Sequence, residues 1–135
     1  MTTATDVPVG PTEGFRVVKP QDRTVAANQT PGMLREAAVQ TETMWAGLAR
    51  TDPGTTSGWH HHSGWNSVLY VVAGAIRIDY GPGGKMSMEG EAGDYLFIPA
   101  GAVHRESNPL ADEQILVVFR TGSGAVVVNV DEPIP

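Results

Sequence analysis

Turn residues interrupt this chain too often for helices to dominate it. Glycine and proline number 16 and 10 in 135 residues. They cluster at Pro31-Gly32, Pro53-Gly54, Gly81-Pro82-Gly83-Gly84 and Pro99-Ala100-Gly101. Proline removes a helical donor and glycine makes positive φ cheap, so such clusters mark turns. The runs between them have strand length and are rich in β-branched and aromatic residues, as in SVLYVV from Ser67 to Val72. Ala75 to Tyr80 alternates, which puts Ile76 and Ile78 on one face and Arg77 and Asp79 on the other. The chain reads as about ten short strands, which means a sandwich or barrel.

In order, strands are expected at Phe15 to Lys19, Met33 to Gln40, Thr43 to Thr51, Ser57 to Ser63 and Ser67 to Val72. They continue at Ala75 to Tyr80, Lys85 to Glu89, Tyr95 to Ile98, Val103 to Ser107, Gln114 to Arg120 and Ala125 to Val130. Met33 to Gln40 has the Ala, Leu and Glu of a helix. It is read as a strand because it is short and a second apolar run follows it. Residues 1–14 are Thr-, Pro- and Gly-rich and read as a flexible tail, 15–130 as one β-barrel domain, and 131–135 as a C-terminal tail.

All four histidines fall in two patches, His60, His61 and His62 in the first and His104 in the second. In an extended strand His60 and His62 share a face and His61 points away. If the strand of His104 lies across from them, three imidazoles converge, and one metal site is the simplest use for them.

These patches resemble the two signatures of the cupin family. In the first, Gly54, His60, His62 and Gly74 match. In the second, Gly93, Pro99, Gly101, His104 and Asn108 all match. The resemblance implies an all-β, cupin-type double-stranded β-helix (jelly-roll) barrel. It also implies one divalent metal ion per chain on His60, His62 and His104. The glutamate of the first signature is replaced by Ser67, so that position is vacant for an acidic ligand. Imidazole donors suit iron, zinc, nickel and manganese, and the sequence does not choose among them. Family members commonly form dimers through strand exchange, and the long N-terminal segment makes a homodimer the expectation. Cupins that keep three histidines without the glutamate include dioxygenases.

Composition narrows the partners. Net charge is −6, with no basic cluster, which argues against nucleic acid and anionic membrane surfaces. There is no cysteine, so disulfides, thiolate ligands and cysteine nucleophiles are excluded. No secretory signal or membrane-spanning run is visible, and a cytoplasmic protein is expected.

Outside the histidines, Tyr70 and Glu106 are the candidates for a catalytic acid or base, though nothing in the sequence singles them out. Trp45, Trp59, Trp65 and Phe97 are candidates for lining a pocket. Arg35, Arg77 and Arg105 are candidates for holding a substrate carboxylate, each weighed against a solvated surface role. Three functions follow. The first is a metal-dependent dioxygenase on an enolisable or aromatic, anionic compound. The second is a non-redox isomerase, cyclase or lyase. The third is a non-catalytic module that binds or senses a small ligand.

Overall fold

The runs between turns pair into two antiparallel sheets in the computed structural model, which describes residues 14–135. The strands are β1 (Thr24–Val25), β2 (Met33–Gln40), β3 (Met44–Thr51), β4 (His60–His61), β5 (Asn66–Ala73) and β6 (Ala75–Tyr80). They continue as β7 (Met86–Glu91), β8 (Tyr95–Ile98), β9 (His104–Ser107), β10 (Ile115–Thr121) and β11 (Val128–Asn129). The larger sheet has the order β1-β2-β3-β10-β5-β8, and the smaller β11-β4-β9-β6-β7. Both are antiparallel throughout, and strands distant in sequence lie side by side. This is the all-β jelly-roll barrel expected above.

Alternation decides what each sheet buries. From the larger sheet Leu69, Val71, Leu116 and Val118 point inward and are almost fully buried. From the smaller, Ile76 and Ile78 meet them. Each such side chain contributes about 1.5–3 kcal/mol on burial. The helix-like composition of Met33 to Gln40 is overridden, because Met33, Arg35 and Ala37 face the interior from a strand paired along β3.

Some boundaries differ from the sequence reading. Phe15 to Lys19 forms no strand, and Phe15 and Val17 lie exposed. The edge of β2 is taken by β1, and the run pairs with no other strand among the described residues. The expected strands Ser57 to Ser63 and Ala125 to Val130 contract to two residues each, β4 and β11, which pair with one another. The C-terminal residues are anchored, with the Gly83 amide donating to the Ile134 carbonyl at 2.8 Å. Asp79 faces away from the core as expected. It is nevertheless buried under Arg77 and Arg105, which donate to it at 2.9 and 2.8 Å. The expected N-terminal tail lies, except for Gly14, outside the described residues.

Candidate metal centre

β4 and β9 pair with His60 directly opposite His104. His62 follows two residues after His60, on the same face. The Pro99-Ala100-Gly101 turn, with Gly101 at φ 73°, delivers β9 to this register. The three rings pack with centroids 4.3, 5.1 and 5.2 Å apart. One nitrogen from each lies within 4.8 Å of the others, and all three residues are buried. Donors around one ion at ~2.1 Å stand roughly 3–4 Å apart, so a small closure suffices to hold one.

Backbone carbonyls fix how the rings are used. His60 Nδ1 bonds to Gly58 O at 3.0 Å, His62 Nδ1 to Val126 O at 2.7 Å, and His104 Nδ1 to Ala102 O at 2.8 Å. A carbonyl can only accept, so each Nδ1 must carry the proton. The Nε2 lone pairs are therefore left for the interior, the arrangement that prepares histidines for a metal. Burial pushes His60 down to about 4, against an opposing hydrogen bond with Glu106. Burial, with the charge of Arg120 next, holds His62 well below the ordinary histidine range. Both rings are neutral at pH 7.

A carboxylate also stands in the cluster. Glu106, buried on β9, places Oε2 3.2 Å from His60 Nε2 and 3.7 Å from His104 Nε2. Burial alone would raise its pKa. When protonated, the His104 and His60 rings donate to it, outweigh burial and hold it well below the usual carboxylate range. With the ring protons on Nδ1, His60 Nε2 and an ionised Glu106 Oε2 are both acceptors at hydrogen-bond distance, and His104 Nε2 is buried with no partner among the described residues. A cation between them resolves both conflicts, so the residues present fit a divalent ion.

The motif position is not the source of this carboxylate. Ser67 lies on β5 in the opposite sheet, fully buried, and accepts from Arg120 Nε at 3.1 Å. The signal for Glu106 was present in the sequence as His104-Arg105-Glu106, the same alternation as in His60-His61-His62.

The other candidates scatter. Tyr70 faces the outer side of the larger sheet, where its ring packs on Tyr95 at 4.8 Å. Trp59 lies beneath the Arg105 guanidinium, 4.7 Å from its ring centroid. Trp65 is buried and donates to Gly124 O at 2.9 Å. Trp45 is buried beneath Arg120. Of the four aromatic candidates only Phe97 borders the cavity beside the histidines. That cavity, ≈ 190 Å³, is lined by Ile78, Tyr80, Met88, Ile98 and His104 among others. Arg77 and Arg105 are committed to Asp79, and Arg35 is buried inside. His61 points away, and its Nδ1 accepts from the Ser63 amide at 3.0 Å. Asn108 ties turns together, donating to Thr51 O and Asp112 O at 3.2 and 2.8 Å.

The family model described as Cupin domain matches residues 47–119, more than half of the chain. The chain belongs to the cupins. Solved structures agree on the fold. An uncharacterized conserved protein with a double-stranded β-helix domain from Klebsiella pneumoniae is 18% identical, with a TM-score of 0.68 over 88% of this chain and 100% of that one. KdgF from Halomonas sp. is 19% identical, with a TM-score of 0.62 over 80% of this chain and 94% of that one. Oxalate decarboxylase from Bacillus subtilis is 17% identical, with a TM-score of 0.64 over 76% of this chain but only 28% of that one. No curated protein matches this cupin. At these identities the likeness carries the fold alone.

Proposed function

We propose that this cupin is a divalent-metal-dependent enzyme acting on a small anionic molecule. The ion is held by His60, His62 and His104, and Glu106 supplies the acidic ligand absent from the motif position. One observation supports this above the rest. Three Nδ1 protons are spent on backbone carbonyls, so three ring lone pairs and a carboxylate oxygen share one buried space. Acceptors gathered in that way need a cation. Three imidazoles and a carboxylate suit iron, manganese, nickel and zinc alike.

When bound, such an ion polarises a substrate oxygen and, if redox-active, supplies electrons for dioxygen. The chain's own groups do the remainder. Glu106 halves the excess charge of a divalent centre held by neutral rings. The apolar wall of Ile78, Met88 and Ile98 beside His104 keeps bulk water from the carbon skeleton of the substrate.

Within this class we favour dioxygenase chemistry on an enolisable or aromatic compound, because an apolar cavity against the histidines suits both dioxygen and a flat skeleton. A non-redox isomerase, cyclase or lyase is the competing reading, favoured by the fold shared with oxalate decarboxylase. Oxygen uptake by the iron(II)-loaded protein, screened with diketones and catechols, separates them. Substrate-dependent uptake supports the first reading. Turnover of the same compounds without uptake, with zinc or nickel, supports the second. No turnover with any metal leaves a binding module.

A homodimer is part of the proposal. Tyr95, Tyr70, Val117 and Leu48 lie in one register row across β8, β5, β10 and β3, and Phe97, Val68, Phe119 and Ala46 lie in the next. Tyr95, Phe97, Val117 and Phe119 are each exposed. An apolar face this continuous suits a second copy.

A further inference from the structure

The interior of this barrel holds more positive charge than its own carboxylates offset. Arg35 and Arg120 project inward from the larger sheet and are 1% and 2% exposed. Burial lowers Arg35 to about 10, and burial with the nearby charge of Arg35 lowers Arg120 to about 9, so both stay cationic at pH 7. Two buried carboxylates are available among the described residues. Asp79 is taken by Arg77 and Arg105, and Glu106 faces the histidines. Neither Arg35 nor Arg120 forms an ion pair with any described residue.

Their donors are largely unspent. Arg120 donates Nε–H to Ser67 Oγ at 3.1 Å and stacks on Trp45 with Cζ 4.7 Å from the ring centroid, which leaves Nη1 without a partner among the described residues. Among the described residues Arg35 makes one long contact, from Nη2 to the Met33 sulfur at 3.7 Å, and its Nε and Nη1 have no partner. Buried donors are normally satisfied and buried charges normally paired, so three unpartnered nitrogens on two guanidiniums point to a missing anion.

Inward positions on β2 and β3 between the two arginines are small: Ala37, Gly47 and Ala49. The bare Gly47 backbone lets the Trp45 ring, on which Arg120 rests, lie close: a Cβ there would come within 2.8 Å of it. Ser67, the acceptor for Arg120, is paired in register with Ile98, which lines the cavity that reaches His104. The arginines thus belong to the sheet that faces the histidines and Glu106 across the interior.

We propose that Arg35 and Arg120 form a carboxylate-binding subsite inside the barrel, which takes the acid group of a small organic acid and directs its other end toward the histidine cluster. The second half rests on the metal-enzyme reading, and the subsite itself does not. Planar guanidiniums favour carboxylates through paired, charge-assisted hydrogen bonds. A bound metal would add two further positive charges, which one acid group and an enolate or second carboxylate would offset.

The test is calorimetric titration of metal-free protein at neutral pH with malonate, with inorganic phosphate as the comparison. Malonate should bind saturably, one per chain and more tightly than phosphate. Arg120→Met and Arg35→Met should each weaken it at least tenfold, yet unfold in urea no earlier than the wild type, because an unpaired buried charge has gone. A residue with a purely structural role would lower stability instead. Arg120→Lys keeps the charge and loses the planar fork, so it should also bind at least tenfold more weakly. It serves as the test if the neutral variants do not fold. Because the titration is read on metal-free protein, failure of the metal reading does not remove the subsite. Absence of malonate binding, tighter phosphate binding or unchanged affinity in the arginine variants would overturn the assignment.

Discussion

Acidifying the metal-free protein should unfold it earlier than loss of its carboxylate pairs would. His60 is neutral in the fold with its pKa lowered from 6.5 to about 4. Between those values the unfolded chain holds a proton that the native chain does not. Stability is therefore full above about pH 6.5 and falls as the pH drops toward 4. A gap of about 2.5 units at about 1.4 kcal/mol each gives roughly 3 kcal/mol for His60 alone, most of it lost by about pH 4.5. His62 is shifted the same way and adds to the loss. Glu106 is shifted downward, so its contribution holds above about pH 4.5 and disappears only below that. Urea unfolding of metal-free protein from about pH 7.5 to 4.5 should thus show a fall of at least 2 kcal/mol, or a drop of roughly 10 °C in Tm. His60→Gln should remove most of the His60 share. A flat profile over that range would refute the reasoning, because it would mean the imidazoles are not held neutral by burial.

Other consequences concern Glu106 and assembly. Glu106→Gln keeps the shape and removes the charge, and should weaken zinc binding about 10- to 100-fold in chelator competition, judging by the usual cost of disturbing such a site. Unchanged affinity would place Glu106 outside the coordination set. Light scattering on the eluting protein should give about twice 14.3 kDa, and Phe119→Asp should shift it toward the single-chain mass. A wild-type mass of one chain would reject the dimer.

Much of this fold could be read from alternation and turns. Ala75–Tyr80 forms a strand at the expected residues because the period-two pattern and bounding glycines agree there, and Tyr95–Ile98 does so as a short apolar run between Gly93 and Pro99. Phe15 to Lys19 misled because β-propensity describes residues that fit a pleated surface, not whether a partner strand is met. His60, His62 and His104 were legible because the spacing within a strand is local, and the turn before His104 is marked by Pro99 and Gly101. Glu106 was visible only as a weak acid–base candidate, since which face of β9 meets β4 depends on pairing between distant segments. Arg120 was missed altogether. Its alternation with Leu116 and Val118 marks it as inward, but a charged residue at the end of an apolar strand usually reads as the strand's exit to solvent. Only the closed barrel shows that the strand does not exit there.

The most direct test of the metal centre is elemental analysis of the purified protein beside His62→Ala, from cells supplied with iron, zinc, nickel and manganese. The structure leads us to expect about one divalent ion per chain in the wild type and little in the variant, with the variant still folded by circular dichroism. Equal metal content in the two proteins, or none in either after reconstitution with each metal, would contradict the account.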